Sequence, residues 1–259
     1  MNTLFGKLRK FLAQQSFLDA DDQDMSLTNH LEELRYRLVV TAITLGACFL
    51  ALYPLSDQLL IILSVPMREQ LYMLAPTEAF LIHLKLAFFG AIVISLPMTL
   101  FQGWAFVAPG LYANEKKYAL PFVILGTIFF CVGGMFSYKL ILPFGLSFLL
   151  GYSGNLIQPV ISVANYVTFV TRMILVFGAT FELPLIVLFL TKIGVLNPPM
   201  MRRYRKYAIV GSFAVGAILT PPDVFTQSML AGPLIILYEI SIWVSVFVWK
   251  KSEEENEEE

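Results

Sequence analysis

Four glutamates in this chain stand where a charge needs a reason. Glu33 and Glu115 sit beside cations in short polar stretches, Asn29 to Arg37 and Asn114 to Lys117. Glu182 and Glu239 fall inside long apolar runs, where an ionisable group is costly and marks a functional candidate. Hydrolytic chemistry has no support around them. His30 and His83 are the only histidines, no HExxH or GxSxG pattern occurs, and Ser147 has no base near it in sequence. There is no P-loop, so the chain does not hydrolyse ATP itself. No metal-ligand spacing exists, and no cofactor or nucleic-acid motif does. The two cysteines, Cys48 and Cys131, lie in apolar runs and read as small buried hydrophobes.

The elements that must hold these carboxylates are membrane helices. The chain of 259 residues is 57% hydrophobic and 14% charged, against about 25% charged for soluble domains. Residues 1–24 form an N-terminal extension. Leu4, Phe5, Leu8, Phe11 and Leu12 alternate there with Lys7, Arg9 and Lys10, in the manner of a surface-bound amphipathic helix. An acidic linker, Asp19 to Asp24, follows it. No apolar h-region succeeds the basic residues, which excludes a cleavable secretory signal.

Residues 25–249 then read as an all-α membrane domain of six transmembrane helices. Asn29 and Glu32 have the spacing of a capping box ahead of a first span, Leu38 to Ser56, about the length that crosses a bilayer. Asp57 to Thr77 reads as a water-side loop. A second span starts at Glu78, carries Pro97 and ends near Ala108. Pro109-Gly110 breaks the chain before a third, Tyr118 to Tyr138. Leu140 to Thr171 is uncharged, but Pro143, Gly145 and Gly151 argue for an apolar loop capping the outer face. The fourth span covers Asn165 to Thr191, the short fifth Tyr207 to Thr220, and the sixth Val224 to Trp249. Residues 250–259 are an acidic tail, read as disordered. Six spans place both termini inside, and fourteen of the eighteen lysines and arginines then fall on the inner side, as the positive-inside bias requires.

On that scaffold Glu33 has an ordinary explanation, an i,i+4 surface pair with Arg37 contributing about 0.2–0.5 kcal/mol. Glu115 has another, in the first turn of the third span, where a carboxylate suits the helix dipole. Taken together, two carboxylates at the inner face of a chain without enzyme motifs point to a receptor for a cationic segment. Arginines are preferred, since they pair with carboxylates bidentately. Glu182 reads as a docking point for a partner's membrane helix, a protonatable gate, or a hydrogen-bonded structural acid. Glu239 reads as structural, with Arg172 as the partner of one or the other.

The stretches HLEELRYRL at 30–38, QGWAFVAPGLYANE at 102–115, FGATFELP at 177–184 and LTPPDVFTQ at 219–227 resemble the TatC family. TatC is the multispanning receptor subunit of the twin-arginine protein translocase. The resemblance runs in order from about Met25 to Trp249. It implies a concave, glove-like bundle in a bacterial inner membrane or a thylakoid, with cytoplasmic termini. It also implies binding of twin-arginine signal peptides on folded cargo and assembly with the single-span TatB and TatA. Self-association in a larger complex and transport driven by the proton gradient belong to the same expectation. Glu33 and Glu115 fall on the family's signal-peptide carboxylates, with Arg35 and Phe106 in the same motifs. Glu182 falls on its intramembrane glutamate, and Gln227 in the stretch used for partner helices. Residues 1–24, Arg172 and Gly110 depart from the family pattern. A small-solute transporter is the rival class, but it predicts an internal repeat, and none is visible. An intramembrane protease lacks its catalytic residues.

Overall fold

The fold is that of a computed structural model, which describes residues 27–67, 70–107, 119–151, 159–219 and 224–257. Among the described residues the regular structure is helical apart from one two-residue strand pair. Helix α1 spans Leu27–Leu52. Leu27 and Thr28 are already helical, so Asn29 sits within the helix and is not its cap. Extending a formed helix costs far less than nucleating one. At Pro54, which has no N–H to give, the chain tightens into a 3-10 turn, Tyr53–Leu55. It resumes as α2, Ser56–Ser64. The expected loop from Asp57 is therefore helical for two more turns, because Leu59, Leu60 and Leu63 pack into the main core.

Helix α3, Glu78–Val107, is continuous through Pro97. Its 30 residues rise about 45 Å, more than a hydrocarbon core of about 30 Å. Helix α4 spans Ala119–Phe136, close to the expected third span. It passes through a π-helical turn, Ser137–Ile141, into α5, Leu142–Gly151. The loop expected from Leu140 is thus helical as far as Gly151. The physical reason is the wide turn, in which the Leu142 N–H reaches back to the Ser137 carbonyl. Pro143 enters the helix immediately after it, where the ladder has already been rearranged.

Ser162 caps α6, Val163–Phe181, its hydroxyl accepting from the Asn165 N–H at 3.4 Å. One turn-like residue, Glu182, joins α6 to α7, Leu183–Lys192. Helix α8, Pro198–Leu219, begins with Asn197 Oδ1 accepting from the Met200 N–H at 2.8 Å. Helix α9, Val224–Glu257, carries Pro233 and runs on through Lys250 and Lys251. The tail expected to be disordered is helical to Glu257, in keeping with the high helix propensity of Glu and Lys.

Among the described residues, five helical stretches are long and apolar enough to cross a membrane: 29–64, 78–107, 119–151, 163–192 and 226–249. The core lies where α3, α6 and α9 meet, around Leu86, Val167, Val170, Met173, Phe177 and Leu230. Close approach of α4 to α6 depends on glycine. A Cβ on Gly133 would lie 2.6 Å from the Phe177 carbonyl oxygen, and one on Gly178 would lie 2.7 Å from the Phe130 ring. At the far end, strands β1 (Leu71–Tyr72) and β2 (Ile161–Ser162) pair in parallel. There the Glu78 carboxylate accepts from the Leu74 N–H at 3.0 Å and the Ser162 hydroxyl at 3.3 Å. Tyr166 donates to the Leu63 carbonyl at 2.7 Å.

Candidate functional site

Helix α1 is turned the opposite way from a soluble amphipathic helix. Its leucine face looks outward, with Leu31 64% and Leu38 60% exposed. Its polar face is packed inward, and Arg37 is 6% exposed. In lipid that arrangement is the stable one, since tails solvate the leucines and protein must satisfy the charges. Arg37 Nη2 donates to Glu33 Oε1 at 3.1 Å, with the side chains 7% and 13% exposed. The expected surface pair is therefore a nearly buried one. Arg37 Nη1 donates to Gln102 Oε1 on α3 at 3.0 Å, and Gln102 is 3% exposed. Glu33 Oε2 is buried and has no hydrogen-bond partner among the described residues. His30 stacks on Phe106 with centroids 4.4 Å apart and planes at 20°. The N-terminal end of α1 and the C-terminal end of α3 thus form one site holding Glu33, Arg37, Gln102, His30 and Phe106. Arg35 lies on the same helix but is exposed. Glu115 lies outside the described residues, as do Pro109, Gly110 and the two lysines at 116 and 117.

Two residues of this end were missed from sequence. Gln102 gives no charge signal, although an amide in an apolar helix has to find a partner. Trp104 is 5% exposed and packs between Phe122 of α4 and Phe189 of α7, at 5.0 and 4.4 Å. Those contacts join three helix ends that are far apart in sequence.

Glu182 is a separate feature. It occupies the joint of α6 and α7, where Pro184 follows within the first turn. It is 6% exposed, and both carboxyl oxygens lack hydrogen-bond partners among the described residues. The carboxyl lies against Gly126 of α4. A Cβ at that position would come within 3.0 Å of Oε2 and 2.9 Å of the Leu100 methyl. Arg172 is exposed and forms an ion pair with neither Glu182 nor Glu239. Glu239 instead takes Arg205 of α8 in a two-pronged pair, Nε to Oε1 at 2.6 Å and Nη2 to Oε2 at 2.8 Å. Gln227 has a local job as well, its amide donating to the Phe213 carbonyl at 2.9 Å across the α8–α9 hairpin. Cys131, expected to be buried, is exposed on an apolar helix face, while Cys48 is intermediate.

Comparison with known proteins agrees with this arrangement. The family model for TatC, the Sec-independent protein translocase protein, matches residues 29–233. A protein of that name from Desulforapulum autotrophicum is 39% identical over 248 residues, 93% of this chain and 92% of its own length. One from Helicobacter pylori strain 26695 is 41% identical over 222 residues, 86% of this chain and 88% of its own. A crystal structure of the twin arginine translocase receptor TatC superposes with a TM-score of 0.78 at 36% identity, covering 85% of this chain and 99% of that one. Sequence, helix order and three-dimensional arrangement converge, and the chain belongs to the TatC family of Sec-independent protein translocase proteins.

Proposed function

We propose that this translocase subunit is the receptor for twin-arginine signal peptides, and that it reads the arginines with Glu33 and Glu115. The observation that carries the reading is the half-satisfied carboxylate of Glu33. One oxygen is anchored by Arg37 at 3.1 Å, while the other is without a partner among the described residues. An arginine arriving there supplies the missing donors in a charge-assisted bond. Glu115 contributes the second carboxylate, and Phe106 and Arg35 line the approach.

In this reading the Glu33 end faces the cytoplasm and both termini are inside. Described cations support the orientation. Arg35, Arg37, Lys192, Arg202, Arg203, Arg205 and Lys206 all belong to helix segments at that end, against Lys85 and Lys139 at the other. Helix α8 makes the sixth crossing, and the bundle presents a concave face bearing Glu182. Single-span TatB and TatA helices dock on the Glu182 and Gln227 side, copies of the chain associate in a larger complex, and the proton gradient drives transport of folded cargo. The membrane is a bacterial inner membrane.

Binding of a labelled twin-arginine peptide to the purified full chain tests the receptor role. A lost charge-assisted hydrogen bond is worth about 1.5–3 kcal/mol, or roughly ten- to a hundredfold in affinity. Glu33→Ala and Glu115→Ala should each lose that much, and Glu115→Asp should retain part. A control peptide with glutamines for arginines should show no difference among these variants. Unchanged affinity in folded Glu33→Ala and Glu115→Ala proteins would refute the role.

A further inference from the structure

Helix α8 opens with a dense run of cations, Arg202, Arg203, Arg205 and Lys206, and has no acid in its first turn. Each of the four is exposed. Arg205 is neutralised by Glu239. The other three form no ion pair among the described residues. At 3.6 residues per turn, Arg202, Arg203 and Lys206 fall within an arc of about 100°, and Arg205 lies some 60° to the other side. That rotation sets the cation committed to α9 apart from the other three, which lie about 60–160° round the helix from it. Their mutual repulsion is opposed by nothing described in the protein.

The position of the patch says what anion would relieve this. From Tyr207 to the helix end at Leu219 the rise is only about 20 Å, against a hydrocarbon core of about 30 Å. With α8 as the proposed sixth crossing, the cations stand at the boundary of the apolar layer, with stems lying along it and charged ends reaching the headgroup level. Tyr204 and Tyr207 are exposed beside them, with rings 5.9 Å apart. The Lys206 ammonium sits 5.1 Å from the Tyr207 ring. Tyrosines and cations at one level are what a membrane–water interface selects.

We infer that Arg202, Arg203 and Lys206 form a binding site for the phosphate headgroup of an anionic phospholipid, flanked on one side by Tyr207 and Tyr204. The site lies on a different helix from the signal-peptide carboxylates and does not rest on their role. Its depth favours a lipid over an acidic protein segment, which would have to leave water to reach it.

Native mass spectrometry of the full chain, in mixed micelles with equal phosphatidylglycerol and phosphatidylcholine, tests the site. The unaltered protein should retain phosphatidylglycerol preferentially. Each charge removed should lower that preference about fivefold, and R202Q/R203Q/K206Q should lower it roughly a hundredfold. R202K/R203K, which keeps the charges, should keep the preference. Single variants R202Q and K206Q, at exposed positions, give the answer even if the triple variant folds poorly by circular dichroism. Equal retention of both lipids by the unaltered protein would overturn the inference. So would full displacement of phosphatidylglycerol by millimolar inorganic phosphate, which would make the patch a free-anion site. A preference that appears only after deletion of residues 250–259 would assign the patch to the acidic tail instead.

Discussion

Replacing Arg37 by leucine should destabilise the protein far more than a surface ion pair allows. A solvated i,i+4 pair contributes about 0.2–0.5 kcal/mol. Here the two side chains are 7% and 13% exposed, and the guanidinium holds Glu33 at 3.1 Å and Gln102 at 3.0 Å. Removing one partner of a buried pair typically costs about 3–5 kcal/mol, because the other charge stays buried without compensation. Gln102, 3% exposed, loses the donor to its Oε1 at the same time. An orphaned amide adds about 1 kcal/mol or more. A cost of about 4–6 kcal/mol is therefore expected for Arg37→Leu. Glu33→Leu/Arg37→Leu removes both charges and should recover about 2–3 kcal/mol relative to the sum of the single substitutions. Equilibrium unfolding in mixed micelles of mild and denaturing detergent, followed by far-ultraviolet circular dichroism, measures all four corners of the cycle. A cost below 0.5 kcal/mol for Arg37→Leu, or strict additivity in the double variant, would show a solvated pair and refute the reasoning.

Two further outcomes follow from close packing and from the orphaned acid. Gly133→Ala should destabilise by about 1–3 kcal/mol, because its Cβ meets the Phe177 backbone oxygen at 2.6 Å and backbone cannot swing aside. Gly46→Ala, with nothing within 4 Å of its Cβ, should stabilise the helix by up to about 1 kcal/mol; equal effects at the two sites would contradict the α4–α6 packing. Glu182→Leu should leave thermal stability unchanged or raise it by about 1–3 kcal/mol, since it removes a buried polar group without partners, while export of a twin-arginine reporter is lost. Normal export in that variant would exclude a transport role for Glu182.

What the sequence made legible follows from the kind of signal each feature carries. Apolar runs and the lysine and arginine bias locate the membrane helices, because burial in lipid is a property of composition over about twenty residues. Helix ends were less legible. Ser64 and Gly151 end helices later than the loops expected from Asp57 and Leu140, since the helix resumes after the 3-10 turn at Pro54 and a π-helical turn precedes Pro143. The tail was misread because six glutamates in seven residues favour disorder by charge and helix by propensity at once. Partner choice was the least legible. Glu239 takes Arg205, 34 residues away, where Arg172 stood as the candidate. Gln102 reaches Arg37 across 65 residues. Such pairs depend on helix rotation and on which glycines let two helices touch. A 3.6-residue period gives the rotation only when one face is polar enough to be recognised.

Glu33 and Glu182 show two ways of keeping a carboxylate in a membrane protein, and the difference bears on the order of events at a receptor. Glu33 is held through one oxygen by a guanidinium that also ties α1 to α3, and its other oxygen is buried, so a second donor that reaches it has to displace packing between those two helices. Glu182 is closed in by Gly126 and Leu100, with both oxygens buried. A donor from outside reaches it only if the Leu100 side chain swings away or α4 separates from the α6–α7 joint. Leu100 lies on α3, the helix that also carries Gln102 two residues on, and Gln102 holds Arg37. Displacement of α3 by a ligand at Glu33 would therefore be felt at the seal over Glu182 within a single helical turn. In the proposed function, this connection permits recognition at the first carboxylate before engagement at the second. Leu100→Ala separates the two steps, because it opens the seal without touching the Glu33 site. It should leave twin-arginine peptide affinity unchanged while partner crosslinking at Glu182 no longer requires peptide. Crosslinking that stays peptide-dependent in Leu100→Ala would break the link between the two sites.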